Sequence, residues 1–139
     1  MYDNKYRKIF EDYKILRICF CQFKSLVSDI LEIDGANGDI NIVYKKSIID
    51  VCLFTKKDIE RALVYFLNKQ IDDGEIVSWA NILIMADFYG IDHVEENNQR
   101  KVMLEIIHRI ANTRINSDLT DAMANYYLNC LNQVVMPSL

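Results

Sequence analysis

IDDGEIVSWANILIMADFYG, residues 71–90, decides how this chain folds, because it is apolar on nearly every side of a helix. Asp72 is placed to accept a free backbone N–H, and Glu75, three residues on, to reach back to the Asp72 N–H, which is a capping-box pattern with an acid in place of Ser or Thr. At about 100° per residue, Ile76, Trp79, Ala80, Leu83 and Ile84 share one face while Ile82, Met85, Ala86 and Tyr89 cover most of the other. Only Ser78, Asn81 and Asp87 interrupt them. A helix apolar all round belongs inside a bundle. It is too short for a membrane span, which needs roughly 20 apolar residues, and Gly90 is placed as its left-handed stop. The expectation is a central helix over about residues 73–89.

The 139 residues fit one domain, 1–139, with 51% hydrophobic and 26% charged side chains, four Gly and one Pro. Few turn residues at that length suit long helices around a full core. Outward from the centre, FTKKDI puts Thr55 and Asp58 in a second capping box. Ile59, Ala62, Leu63, Phe66 and Leu67 then give the stripe of a helix over 56–69, joined to the central one by so short a connection that the two should pack antiparallel. Three- and four-residue apolar steps from Tyr6 to Leu31 read as one long helix over 5–33, closed by the loop IDGANGD, residues 33–39. Residues 40–53 alternate like a strand at Ile40, Ile42 and Tyr44 and step like a helix at Tyr44, Ile48, Val51 and Cys52. They are read as helix, because a lone strand would lack a backbone partner. Arg100–Asn112 and a segment capped by Thr120 and stopped by Pro137 complete an all-α, single-domain bundle of five to six helices.

The residues do not point to catalysis. His93 sits in an acidic loop and His108 on a polar helix face, and there is no HExxH, GxSxG or phosphate-cradling glycine loop. Cys19, Cys21, Cys52 and Cys130 form no CxxC pair and read as buried thiols of a reducing compartment. The expectation is therefore no enzyme, no metal and no cofactor. The mixed charges of the first residues do not make a signal peptide, which places the chain in the cytoplasm with no membrane partner.

Charge gives the sharper signal. Residues 70–99 hold no Lys or Arg and seven acids, Asp72, Asp73, Glu75, Asp87, Asp92, Glu95 and Glu96, in a chain of net charge -4. Helix capping explains Asp72, Asp73 and Glu75, and a solvated loop suits Glu95 and Glu96. Asp87 fits neither, since it falls late in a helix where the dipole disfavours an acid, and should pair with a base or face a partner. These seven are the candidate partner-binding residues, presenting a negative surface to something basic. No basic stripe accompanies the aromatic residues, so direct nucleic-acid binding is disfavoured.

FTKKDIERALVYFLN, IDDGEIVSWANILIMAD and EIIHRIANTRINSDLT follow one another in an order that resembles small helical bacterial immunity proteins of polymorphic toxin and contact-dependent growth inhibition systems. The residues carrying the resemblance are Thr55, Gly74, Trp79, Ala80, Ala111, Asn112 and Leu119; Thr113 stands where such proteins tend to have Pro, and the N-terminal helix has no counterpart. The resemblance implies that the chain binds and neutralises a cognate toxin domain, commonly a nuclease, with Trp79, Ala80, Ala111 and Asn112 as scaffold. The alternative is a helical interaction adaptor or regulatory inhibitor unrelated to toxins, using an aromatic groove of Tyr2, Tyr6, Phe10 and Tyr13 on the first helix.

Overall fold

The computed structural model describes residues 4–36, 39–48, 51–113 and 118–138. In chain order these form α1 (Asn4–Lys14), α2 (Phe20–Leu26), β1 (Leu31–Ala36), β2 (Asp39–Tyr44), β3 (Cys52–Phe54), α3 (Lys56–Leu67), α4 (Asp73–Met85), β4 (Tyr89–Ile91), α5 (Asn97–Ala111) and α6 (Asp121–Gln133). The chain is therefore not all-α. Four strands, in two two-stranded sheets, accompany the helices.

The central segment folds as its composition demands. Every residue from Ile76 to Leu83 is buried, and Trp79 is wholly enclosed. The Trp79 indole N–H donates to the Lys14 carbonyl at 3.1 Å, satisfying an acceptor that the end of α1 leaves free. Asn81, one of the few polar residues inside, donates its side-chain amide to the carbonyls of Val77 at 2.9 Å and Ala111 at 3.0 Å. That second bond ties α4 to α5, on which it packs most extensively.

The helix is shorter than its apolar run. It stops at Met85, Ala86 turns to extended backbone, and Tyr89–Ile91 becomes β4. Gly90 is a strand residue, not a left-handed stop. The cause lies elsewhere in the chain: Cys52–Phe54 pairs with Tyr89–Ile91 in parallel, and Phe88 and Tyr89 pack on α1. The rings of Phe10 and Phe88 stack at 4.1 Å, and the Tyr89 hydroxyl donates to the Phe10 carbonyl at 2.6 Å.

Residues 31–44 supply the largest correction. Leu31–Ala36 and Asp39–Tyr44 form an antiparallel hairpin in which Ala36 pairs with Asp39, so only Asn37 and Gly38 separate the paired residues. Leu31, Ile33 and Ile40 turn into the core while Glu32, Asp34, Asn41 and Val43 face out, the two-residue period of a half-buried sheet. The partner that a strand at 40–44 needs is thus the segment immediately before it. Asn-Gly between alternating apolar residues is itself a strong hairpin signal.

The expected helix over 5–33 is also divided. Leu16 takes a left-handed φ of 58°, and Cys19 caps a new helix, its sulfur accepting from the Gln22 N–H while Gln22 returns a bond to the Cys19 N–H. The apolar steps continue across the break because both pieces cover the same core; Tyr13 of α1 stacks on Phe23 of α2 at 4.2 Å. Cys19 and Cys21 are exposed, unlike the buried Cys52 and Cys130, so only two of the four thiols are core residues. No helix among the described residues is long and apolar enough to cross a membrane.

Candidate functional site

The seven acids of the cation-free stretch fall into three places. Asp72, Asp73 and Glu75 stand at the start of α4, Asp87 lies in the turn after it, and Asp92, Glu95 and Glu96 occupy the connection from β4 to α5. A helix of 13 residues separates the first group from Asp87 by roughly 18 Å at 1.5 Å per residue. Asp87 is not a late-helix acid, as its place in the sequence suggested; it is an exposed turn residue.

Five of these seven carboxylates accept from backbone N–H groups, three of them locally. Asp72 caps α4 by accepting from the Glu75 N–H at 2.8 Å, and Asp73 accepts from the Gly74 N–H at 2.9 Å. Asp92 accepts from the Val94 N–H at 3.1 Å. Two acids cap helices other than their own. Glu75 does not reach back to Asp72; it accepts from the Phe20 N–H at 2.8 Å, capping α2 across 55 residues of sequence. Glu95 likewise accepts from the Lys56 N–H at 2.9 Å at the start of α3. Such bonds spread the negative end of a carboxylate over helix N–H groups without removing its charge.

Ion pairs hold many of the acids outside the stretch. Outside the stretch, Glu11, Asp12, Asp58, Glu60, Glu105 and Asp121 each sit against a Lys or Arg, whereas Glu32, Asp34 and Asp118 sit against none among the described residues. Among the described residues, Asp72, Glu75, Asp87, Asp92, Glu95 and Glu96 sit against none.

Glu75 lies in a cleft of about 390 Å³ between the α1–α2 connection and the start of α4, with Arg17, Cys19, Gln22 and Asp72 also on its walls. Burial of the carboxyl pushes its pKa up, and Asp72 adds to this, against the Phe20 N–H, which pulls it down. A carboxyl with a raised folded pKa contributes stability that is complete below the unfolded value and is lost as pH rises through the folded one. At neutral pH ionised Glu75 is thus a mild burden. Glu75→Gln, which keeps an acceptor for Phe20, should unfold at the same or a slightly higher temperature at pH 7, by no more than about 1 kcal/mol since the group is only partly buried and water screens it. The difference should vanish near pH 4, where wild type is protonated as well. A variant markedly less stable than wild type at pH 7 would show that the negative charge itself holds α2 in place.

Sequence reading missed a second cleft, of about 540 Å³, beside Asp87. Tyr44, Lys45 and Lys46 line it at the end of β2, and the Tyr44 hydroxyl accepts from the Asp87 N–H at 2.9 Å. The alternation Ile40, Ile42, Tyr44 followed by two lysines is the available signal, since lysines commonly guard a strand end. The aromatic groove on the first helix is not formed. Phe10 and Tyr13 are core residues, Tyr6 is partly buried, and Tyr2 lies outside the described residues. Compared with protein-family models, curated proteins and solved structures, the chain matches none.

Proposed function

We propose that the chain is a binding protein of the immunity type, which neutralises a basic toxin domain, such as a nuclease, in the cytoplasm of the cell that makes it. One observation carries the reading: in a window without Lys or Arg, six carboxylates between residues 72 and 96 stand without an ion pair among the described residues, while elsewhere six acids each hold one and Glu32, Asp34 and Asp118 hold none. Counter-charges for the former then come from outside the chain. An uncompensated negative field raises the rate at which a basic partner arrives, and carboxylates already held by backbone N–H groups lose little entropy on contact. Two exposed thiols, Cys19 and Cys21, suit a reducing compartment. The buried Trp79, Ala80 and Ala111 serve as frame, and the partner meets the exposed ends of α4 and the β4–α5 connection.

The test takes as partner a toxin reading frame adjacent to the gene for this chain, and the lack of one would itself count against the reading. Asp72→Asn, Asp73→Asn, Asp92→Asn and Glu96→Gln in one variant remove four charges and keep every side-chain acceptor. Association with the toxin should slow by about tenfold or more at low salt, and its dependence on salt should flatten. An unchanged rate and salt slope, or failure of the wild-type chain to protect cells from that toxin, would overturn the reading.

A further inference from the structure

The cleft at the start of α4 brings two acids of the cation-free stretch into one hollow. Asp72 and Glu75 both line it, each with one oxygen fixed: Asp72 takes the Glu75 N–H and Glu75 the Phe20 N–H. The second oxygen of each accepts no hydrogen bond among the described residues. Burial, the Phe20 N–H and Asp72 are the influences on the Glu75 carboxyl, and no cation is among them. Arg17 shares the wall but stands 65% exposed, its guanidinium 4.0 Å from Asp12. The two helix starts that these carboxylates cap offset about half a charge each, so the cleft keeps a negative excess. The Tyr13 hydroxyl, on which Glu75 acts more than any other charge, is wholly buried with no partner among the described residues. An orphan hydroxyl near a half-buried carboxylate without a counter-ion marks a polar set that a ligand completes.

The walls set the occupant. A negative cleft takes a cation, and the partly buried apolar side chains Leu16, Ile18 and Ile71 on its sides call for one carried on a hydrocarbon stem. Two free carboxylate oxygens on residues three apart, with Gln70 also on the wall, favour a fan of donors over a point charge. A guanidinium has five N–H donors in one plane and is more weakly hydrated than an ammonium, which suits a half-buried carboxylate. We propose that this cleft receives a single arginine side chain of the partner protein, with its guanidinium on Asp72 and Glu75 and its stem against Leu16, Ile18 and Ile71. The inference rests on the reading of a basic partner and adds to it the anchor of the complex, since an arginine seated in a fitted pocket is where binding energy concentrates.

NMR titration of the isotope-labelled full chain with N-acetyl-L-arginine methylamide tests it, read at the Phe20 N–H, which bonds Glu75, and at the indole N–H of Trp79, one turn along α4. Shifts should saturate with a Kd of about 1–10 mM, the scale for one side chain. The lysine counterpart should bind severalfold more weakly, and the citrulline counterpart, of the same shape without the charge, not at all. Glu75→Gln and Asp72→Asn, which keep the capping acceptors, should each weaken binding by about tenfold, while Asp92→Asn with Glu96→Gln leaves it unchanged. The absence of a saturable shift, citrulline or lysine binding as tightly as arginine, or Glu75→Gln and Asp72→Asn binding like wild type would each overturn the proposal. Free L-arginine binding far more tightly than the blocked form would assign the cleft to a small molecule and overturn it too. The reading of function is judged by toxin association after a charge removal that leaves Glu75 in place, so the two can fail separately.

Discussion

Trp79→Ala should destabilise the chain by about 3–5 kcal/mol, the range for emptying an aromatic site in a closed core. Trp79 is wholly buried in the middle of α4, among residues that are themselves buried from Ile76 to Leu83. Its neighbours cannot collapse into the vacated volume without moving α1 or α5, so most of the cavity persists. The Lys14 carbonyl also loses the indole N–H. Trp79→Phe separates these contributions, because it keeps most of the ring and forfeits only the hydrogen bond and some contacts, for roughly 1–2 kcal/mol. Urea unfolding followed by circular dichroism measures both, since the chain's one tryptophan is the residue removed. An alanine variant within about 1 kcal/mol of wild type would mean that α4 is not the packed centre.

The second large effect belongs to Asp58, which joins three elements. Its carboxylate accepts from the Thr55 N–H at 2.9 Å and from Arg61 at 2.8 Å, and lies 3.7 Å from the Lys14 ammonium. Lys14 in turn donates to the Leu53 carbonyl at 3.1 Å and pairs with Glu11 at 3.0 Å. Asp58 and Lys14 are 7% and 14% exposed, so this is a largely desolvated pair that fastens the end of α1 to β3 and the start of α3. Removing one partner of such a pair strands the other, at a cost of 3–5 kcal/mol when fully buried. Glu11 remains beside Lys14, so Asp58→Ala should cost about 3 kcal/mol. Asp58→Asn keeps an acceptor for the Thr55 N–H and should cost roughly half as much. Equal losses for the two would assign the whole effect to the cap.

The pH behaviour follows from Lys14. Burial works against its charge, but the hydrogen bond to Glu11 and the nearby carboxylates of Asp58 and Glu11 outweigh that and raise its pKa. A raised folded pKa on a lysine gives stability that is complete below the unfolded value and is lost as pH rises through the folded one. The gap between wild type and Asp58→Ala should therefore be flat around neutral pH and narrow in strong alkali.

How far the chain could be read in advance differs from element to element. Thr55 and Asp58 announce the start of α3 within four residues, and α3 begins at Lys56 as that box requires. Thr120 does the same for α6, where its hydroxyl accepts from the Met123 N–H at 3.2 Å. Lys14, by contrast, reads as one more polar residue on a solvent face, because the carbonyl of Leu53 and the carboxylate of Asp58 that enclose it are distant in sequence. Glu75 carried a visible capping role, but its partner proved to be α2, a helix that periodicity had merged into its neighbour. The acids themselves were legible as a charge window. Their division into three places, and the companionship of Asp87 with Lys46 and Tyr44, were not.

Periodicity and capping, which act over three or four residues, were enough to place the cores of α3, α4 and α5 and to show that the Trp79 segment needed cover on all sides. The hairpin lay within the same reach, in the Asn-Gly between Leu31–Ala36 and Asp39–Tyr44, though its apolar residues also fitted helical steps. Only the tertiary structure decided that α4 ends at Met85 and that Tyr89–Ile91 is a strand. A helix satisfies its backbone from within, so a local pattern suffices to specify it. The three-residue strands β3 and β4 take their hydrogen bonds from each other across more than thirty residues, and no local pattern records which partner will be there.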